Sequence, residues 1–242
     1  MDFKLRTPNS ELKTIFQRKF LLDELFSQLV SVNPTDYATF PQKVLFWGDG
    51  AGEISSYVAG WMAGHGMEIL LLDGANRFDP YTVSSFARSV LVSPETLLKK
   101  IRIARAFTCY QMATLMGEKL VHLLRREKSL SPGQETWVIL LGPVTTFLDE
   151  DVPEREVRPL FERALKRVEE MTAEKIPFLI FQSPIHPHSK RSYLMRRLLK
   201  FSDLVWKIEF DDQGPKMILE KEPSKIQIAD CRLKNLKGGY RI

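Results

Sequence analysis

The stretch KVLFWGDGAGEISSYVAG, Lys43–Gly60, decides how the rest of the chain is read. Its apolar start predicts a buried strand, and the small and apolar residues at its end predict the first turns of a helix. Three glycines, Gly48, Gly50 and Gly52, fill the turn between them. This is the build of a phosphate-cradling loop, whose other parts are a lysine that neutralises the terminal phosphates and a hydroxyl that holds Mg²⁺. At those two positions stand Glu53 and Ile54. A carboxylate repels phosphate and isoleucine ligates no metal. The segment is therefore either the remnant of such a loop or a plain glycine turn in an unrelated α/β protein.

On either side of it the pattern is regular. Residues 67–73 (MEILLLD), 135–142 (ETWVILLG) and 176–183 (IPFLIFQS) are near-continuous apolar runs, as expected of strands buried on both faces of a parallel sheet. Residues 101–107 predict a shorter strand. Ser93 followed by Pro94 marks a helix start. Thr108 and Gln111 form a capping-box pattern that opens a helix running to the region of Glu127. Apolar residues at helical spacing run from Val157 to Met171, and residues 190–201 predict a basic amphipathic helix. The stretch DLVWKIEFDDQGPKMILEKEP predicts two strands joined at Asp211–Gly214. Strands alternating with helices up to a closing hairpin predict an α/β fold with a mostly parallel central sheet and helices on both faces. An apolar stripe behind Ser10 adds an N-terminal helical extension over residues 1–39; the core then spans 40–225 and a basic tail 226–242.

Composition narrows the class. The 242 residues are 44% hydrophobic and 27% charged, ordinary values for a globular chain. Cys109 and Cys231 lie far apart, without metal-type spacing, which suggests a reducing compartment and no disulfide framework. No apolar run approaches the roughly 18 residues of a membrane span, and the first residues lack the apolar core of a signal peptide. The expectation is a cytoplasmic protein with no membrane partner. The formal net charge is +5; residues 151–242 hold 19 basic and 14 acidic side chains, so the excess lies in the C-terminal part. A polyanionic partner there and a merely solvated basic face are both compatible with that bias.

The order strand, glycine loop, helix, then ILLLDGANRFDP resembles the ATPase core of RecA-like recombinases, closest to the archaeal RadA and eukaryotic strand-exchange branch. Asp73, Asn76, Phe78 and Pro80 match the spacing of that branch's Asp-Thr-Glu-Asn-Thr-Phe-Arg-Pro motif. Ala104, Arg105, Ala106 and Phe107, with Gln111 following, match its Ala-Arg-Ala-Phe/Tyr stretch, and Gln182 in FQSP takes the place of a strand-end glutamine. The likeness covers roughly residues 40–225 and implies a RecA-like fold with a degenerate catalytic set. The family's lysine and hydroxyl positions fall on Glu53 and Ile54, its water-activating glutamate on Ala75, and its second metal-anchoring carboxylate on Gly142. Such a chain would be a pseudo-ATPase without catalytic residue, cofactor or metal. It would act in DNA recombination or repair by binding single-stranded or duplex DNA, an active recombinase, or copies of itself. A diverged ligand-binding protein and a purely structural interaction subunit are the other readings.

Two further segments bear on partners. Lys190, Arg191, Arg196, Arg197 and Lys200 follow one another with no acidic residue between positions 184 and 202, a candidate phosphate-contacting row. The segment FLDEDVPERE, where the family's first DNA loop would lie, is acidic and would repel DNA. His186 and His188, two apart, admit a metal reading, with no further ligand to complete it. Glu53 is also placed to cap the amides of its own helix.

Overall fold

The computed structural model describes residues 42–130, 136–186, 188–211, 214–222 and 240–241. The N-terminal extension and most of the basic tail lie outside these. The elements in chain order are β1 (Lys43–Gly48), α1 (Ala51–Gly64), β2 (Glu68–Asp73), α2 (Pro80–Ser89), α3 (Pro94–Leu98), β3 (Ile101–Arg105) and α4 (Cys109–Thr114). A π-helical turn (Leu115–Lys119) then leads into α5 (Leu120–Leu130), β4 (Thr136–Leu141), a 3₁₀ turn (Thr145–Leu148), α6 (Glu154–Ala173), β5 (Phe178–Gln182) and α7 (Ser192–Phe201). The strands β6 (Leu204–Asp211), β7 (Gly214–Lys221) and β8 (Tyr240–Arg241) close the fold.

Across the sheet the order is β3-β2-β4-β5-β1-β6-β7-β8. All neighbours from β3 to β6 pair in parallel, while β7 and β8 are antiparallel. The expected α/β sheet with a closing hairpin is what forms. The chain moves one way across the sheet from β1 to β3 with α1–α3 on one face. It returns from β3 to β6 with α4–α7 on the other. A constant right-handed crossover requires this change of face whenever the direction reverses.

Both faces are therefore covered, and the strands bury residues of both parities. In β1, Val44 and Phe46 join the α1–α3 side while Leu45 joins the α4–α7 side. In β4, Trp137, Ile139 and Leu141 face the first layer, and Val138 and Leu140 the second. Phe46 and Phe181 stack at 5.2 Å across the β1–β5 pair. The layers are filled by Val58, Trp61, Met62 and Phe86 on one side and by Met112, Met116, Phe161, Leu165 and Leu198 on the other. No helix among the described residues is long and apolar enough to cross a membrane.

Local chemistry departs from the sequence reading in three places. Helix α2 was not foreseen, although Asp79 caps it by accepting from the amides of Tyr81 and Thr82 and from the Thr82 hydroxyl, with Pro80 next. The Thr82 hydroxyl holds the Asp79 carboxyl below the usual carboxylate range against the opposing effect of burial. This stabilisation is complete above about pH 4 and is lost as the pH falls through the depressed value. Thr108 does accept from the Gln111 amide, but the Gln111 side chain reaches back to the amide of Phe107, and the π turn interrupts the helix that follows. Ser93 precedes α3 without a side-chain cap bond.

The position that admits least variation is Gly48. Its φ is +123°, and a Cβ built there would lie 2.1 Å from the backbone oxygen of Ile208 on β6. Gly48→Ala combines a disfavoured backbone with a collision against main chain, each costing about 1–3 kcal/mol. Equilibrium denaturation is expected to show a loss of about 3 kcal/mol or more with the denaturant slope unchanged.

Candidate functional site

Four loops meet at the carboxyl ends of the parallel strands, the edge at which open α/β sheets carry their ligand sites. They follow β1 (residues 49–50), β2 (74–79), β4 (142–153) and β5 (described over 183–186 and 188–191).

The first loop is built as a cradle but is not fitted as one. Gly50 caps α1 in the left-handed region, and no side chain caps the helix. Glu53 is exposed, so the expected self-capping by its carboxylate does not occur. The Ser55 hydroxyl instead donates to the Gly52 carbonyl at 2.6 Å. Ile54 packs on the hydrophobic layer, Gly52 lies against Arg77, and the Phe210 ring lies 3.1 Å from where a Gly50 Cβ would stand.

The second loop is organised by Asp73. This fully buried carboxylate accepts from the amides of Ala75, Arg77 and Phe78 at 3.1–3.2 Å, and Arg105 on β3 approaches it at 3.5 Å. All its capacity goes to folding the loop, which puts Asn76 at φ +53° on the surface and Phe78 into the core.

The third loop meets the second directly. Gly142 has φ +61°, and a Cβ built on it would stand 2.5 Å from the Ala75 Cβ and 2.8 Å from the Thr145 hydroxyl. The carbonyl of Gly142 in turn lies 2.9 Å from a Cβ built on Gly74. Ala75 and Gly142, far apart in sequence, are thus brought into contact. Gln182, at the end of β5, completes the arrangement. Its carbonyl accepts from the Val144 amide at 3.0 Å, and its amide donates to the Ser183 carbonyl at 3.1 Å.

The basic row is divided by the fold. Arg191 is buried: it pairs with Glu154 at 3.3 Å and donates to the carbonyls of Phe147, Asp149 and Val152. It leaves the candidate DNA-contacting set, because its charge is spent holding the acidic loop against the start of α7. The Arg197 Nε–H is shared between the two Glu162 carboxylate oxygens at 2.9 and 3.1 Å. Lys190, Arg196 and Lys200 remain exposed. Tyr193 is half-buried, and burial followed by the Glu154 carboxylate pushes its phenol up to about 12. Phe201 is buried, so neither aromatic is free to stack on a base. The rings of His186 and His188 stand 5.4 Å apart, and among the described residues no three His, Cys, Asp or Glu side chains cluster as a metal site would require.

Two substitutions test this geometry. Gly142→Ala is expected to cost about 3 kcal/mol from strain and overpacking together, of which Ala75→Gly in the same chain should restore about 1 kcal/mol by removing the opposing methyl. Arg191→Met strands three carbonyls and should cost about 3 kcal/mol. Thermal and denaturant unfolding of the purified variants measures both.

No protein-family model matches this chain, and a search of curated proteins finds no match to it.

Proposed function

We propose that the chain is a catalytically inactive accessory protein of RecA-like fold that acts in DNA recombination or repair by binding DNA, an active recombinase, or both. The contact between Ala75 and Gly142 carries the reading. Under the RecA-like resemblance these are the positions of the water-activating glutamate and the second metal-anchoring carboxylate. Here one is a methyl group and the other has no side chain, and a Cβ at 142 would collide with Ala75. Glu53, exposed where the loop lysine would be, adds a charge of the wrong sign, and Ile54 is turned into the hydrophobic layer. Phosphoryl transfer depends on positioned cations and an oriented nucleophile. With those side chains gone, the strand, loop and helix remain as scaffold.

The expected result is no turnover of Mg²⁺-ATP, with or without single-stranded DNA, above that of a Gly50→Val loop variant, and no calorimetric heat of Mg²⁺-ATP binding. Hydrolysis that DNA stimulates and the loop variant abolishes would overturn the inactive reading. Affinity capture from the native host with and without nuclease treatment tests the partner. A recombinase retained after nuclease supports direct protein contact, and capture of neither recombinase nor nucleic acid rejects the recombination role.

A further inference from the structure

We propose that the outer surface formed by α6 and α7 is a sequence-independent binding surface for the phosphate backbone of duplex nucleic acid. This deepens the nucleic-acid side of the reading above and moves its centre from α7 to α6.

The argument rests on where the acidic side chains go. Helix α6 and residues 190–201 carry ten basic and five acidic side chains, an excess equal to the formal +5 of the whole chain. All five acids lie on α6, and each has a specific partner. Glu154 pairs with Arg191, Glu162 with Arg197, Glu169 with Lys43 and Glu170 with Arg167, while Glu156 accepts from the Tyr110 hydroxyl. Four of these five donors lie outside α6, so the helix's acids are consumed in docking it to its neighbours. Four of its own five cations are left over. Arg155, Arg158, Arg163 and Lys166 are exposed and form no ion pair among the described residues, and the same holds for Arg196 and Lys200 on α7.

The geometry is that of one continuous face. The Glu162–Arg197 and Glu154–Arg191 pairs join the two helices side by side. Arg155 and Arg158 stand one turn apart on α6, as do Arg163 and Lys166, on a side that also holds the Arg197-paired Glu162, since three- and four-residue steps return to the same side of a helix. From 155 to 166 the stripe runs about 16 Å at about 1.5 Å per residue, enough to reach several phosphates of a duplex, whose strands each carry one charge per about 3.4 Å of axis. Glu150 and Asp151 are exposed beside the N-terminal end of α6. They oppose Arg155 at that end of the stripe.

The surface also lacks what other polyanion partners need. Among the described residues the large exposed apolar side chains are Tyr81, Val90, Leu91, Val92, Ile103, Phe107, Tyr110 and Phe210; none lies on α6 or α7, and Tyr110, which borders α6, has its hydroxyl engaged by Glu156. An interfacial membrane helix needs such residues for insertion, and a single-strand groove needs aromatic platforms. Only backbone contact is offered, which favours a duplex over a splayed strand.

The test is fluorescence anisotropy with a labelled duplex of random sequence and a matched single strand over a salt series. Proteins compared are the wild type, Arg158→Gln/Arg163→Gln/Lys166→Gln, the corresponding triple Glu variant, and Arg88→Gln/Lys99→Gln on the opposite side of the sheet. With four phosphate contacts, the wild-type slope of log affinity against log salt should be about −3.6 on duplex. The α6 Gln variant should lose at least tenfold in affinity and bring the slope to about −1, while the Arg88/Lys99 variant stays within twofold of wild type. The Gln variant removes charge without adding repulsion, so it reads the surface even where the Glu variant unfolds. Duplex binding that the α6 variants leave unchanged overturns this assignment but leaves the accessory-protein reading standing. Absence of nucleic-acid binding by the wild type overturns the assignment, and the recombinase capture then judges the broader reading alone. Tighter binding to vesicles rich in anionic lipid than to duplex, lost in the same α6 variant, rejects nucleic acid as the partner.

Discussion

The site edge of this protein depends on one buried carboxylate. Asp73 sits at the end of a fully covered strand and faces no solvent, so it must be paid for by donors. It finds three in the backbone that immediately follows it. Satisfying them folds residues 74–78 back over the strand end and brings Ala75 against Gly142. The loop after β4 then has room only for a residue without a side chain. Gln182 holds that loop from the β5 side through the Val144 amide. A charge that elsewhere on a sheet edge would be free to meet a ligand is used up in shaping the protein's own loops.

Much of the architecture was legible in the sequence because the central strands are buried on both sides. Runs such as ILLLD and WVILL leave little choice but a covered, parallel sheet. The closing hairpin was readable from its turn residues. Helix α2 was not, because its apolar stripe is thin: only Val83, Phe86 and Ala87 are buried, and the real signal was the Asp79–Pro80 cap. At the site, positions 53, 54, 75 and 142 could be singled out in the sequence through the RecA-like resemblance, but the contact between 75 and 142 could not, since it depends on two loops far apart in the chain. The exposed Glu53 shows the same limit: a capping residue type near a helix start does not cap unless the loop aims it.

The basic row shows how a one-dimensional charge pattern misleads. Five cations in twelve residues look like one surface in the sequence. In the fold, Arg191 turns inward to three carbonyls and Arg197 is locked to Glu162. Meanwhile α6, which reads as a balanced mixture of charges, has four of its five acids bonded to residues from other elements and leaves Arg155, Arg158, Arg163 and Lys166 exposed without an ion pair among the described residues. The sign of a helix face is set by pairing across elements rather than by the helix's own composition.

The lysine at the end of β7 has a similar long-range effect. The Lys221 ammonium donates to the carbonyls of Lys200 and Ser202, where α7 ends. A free helix C-terminus carries the equivalent of about half a negative charge, which would sit beside Lys200 and dim its field. With an ammonium on those carbonyls, that end of the helix macrodipole is neutralised from below. The hairpin thereby caps the C-terminal end of α7, and any event that peeled β7 away would bare those carbonyls beside Lys200 as well as change the shape of the sheet.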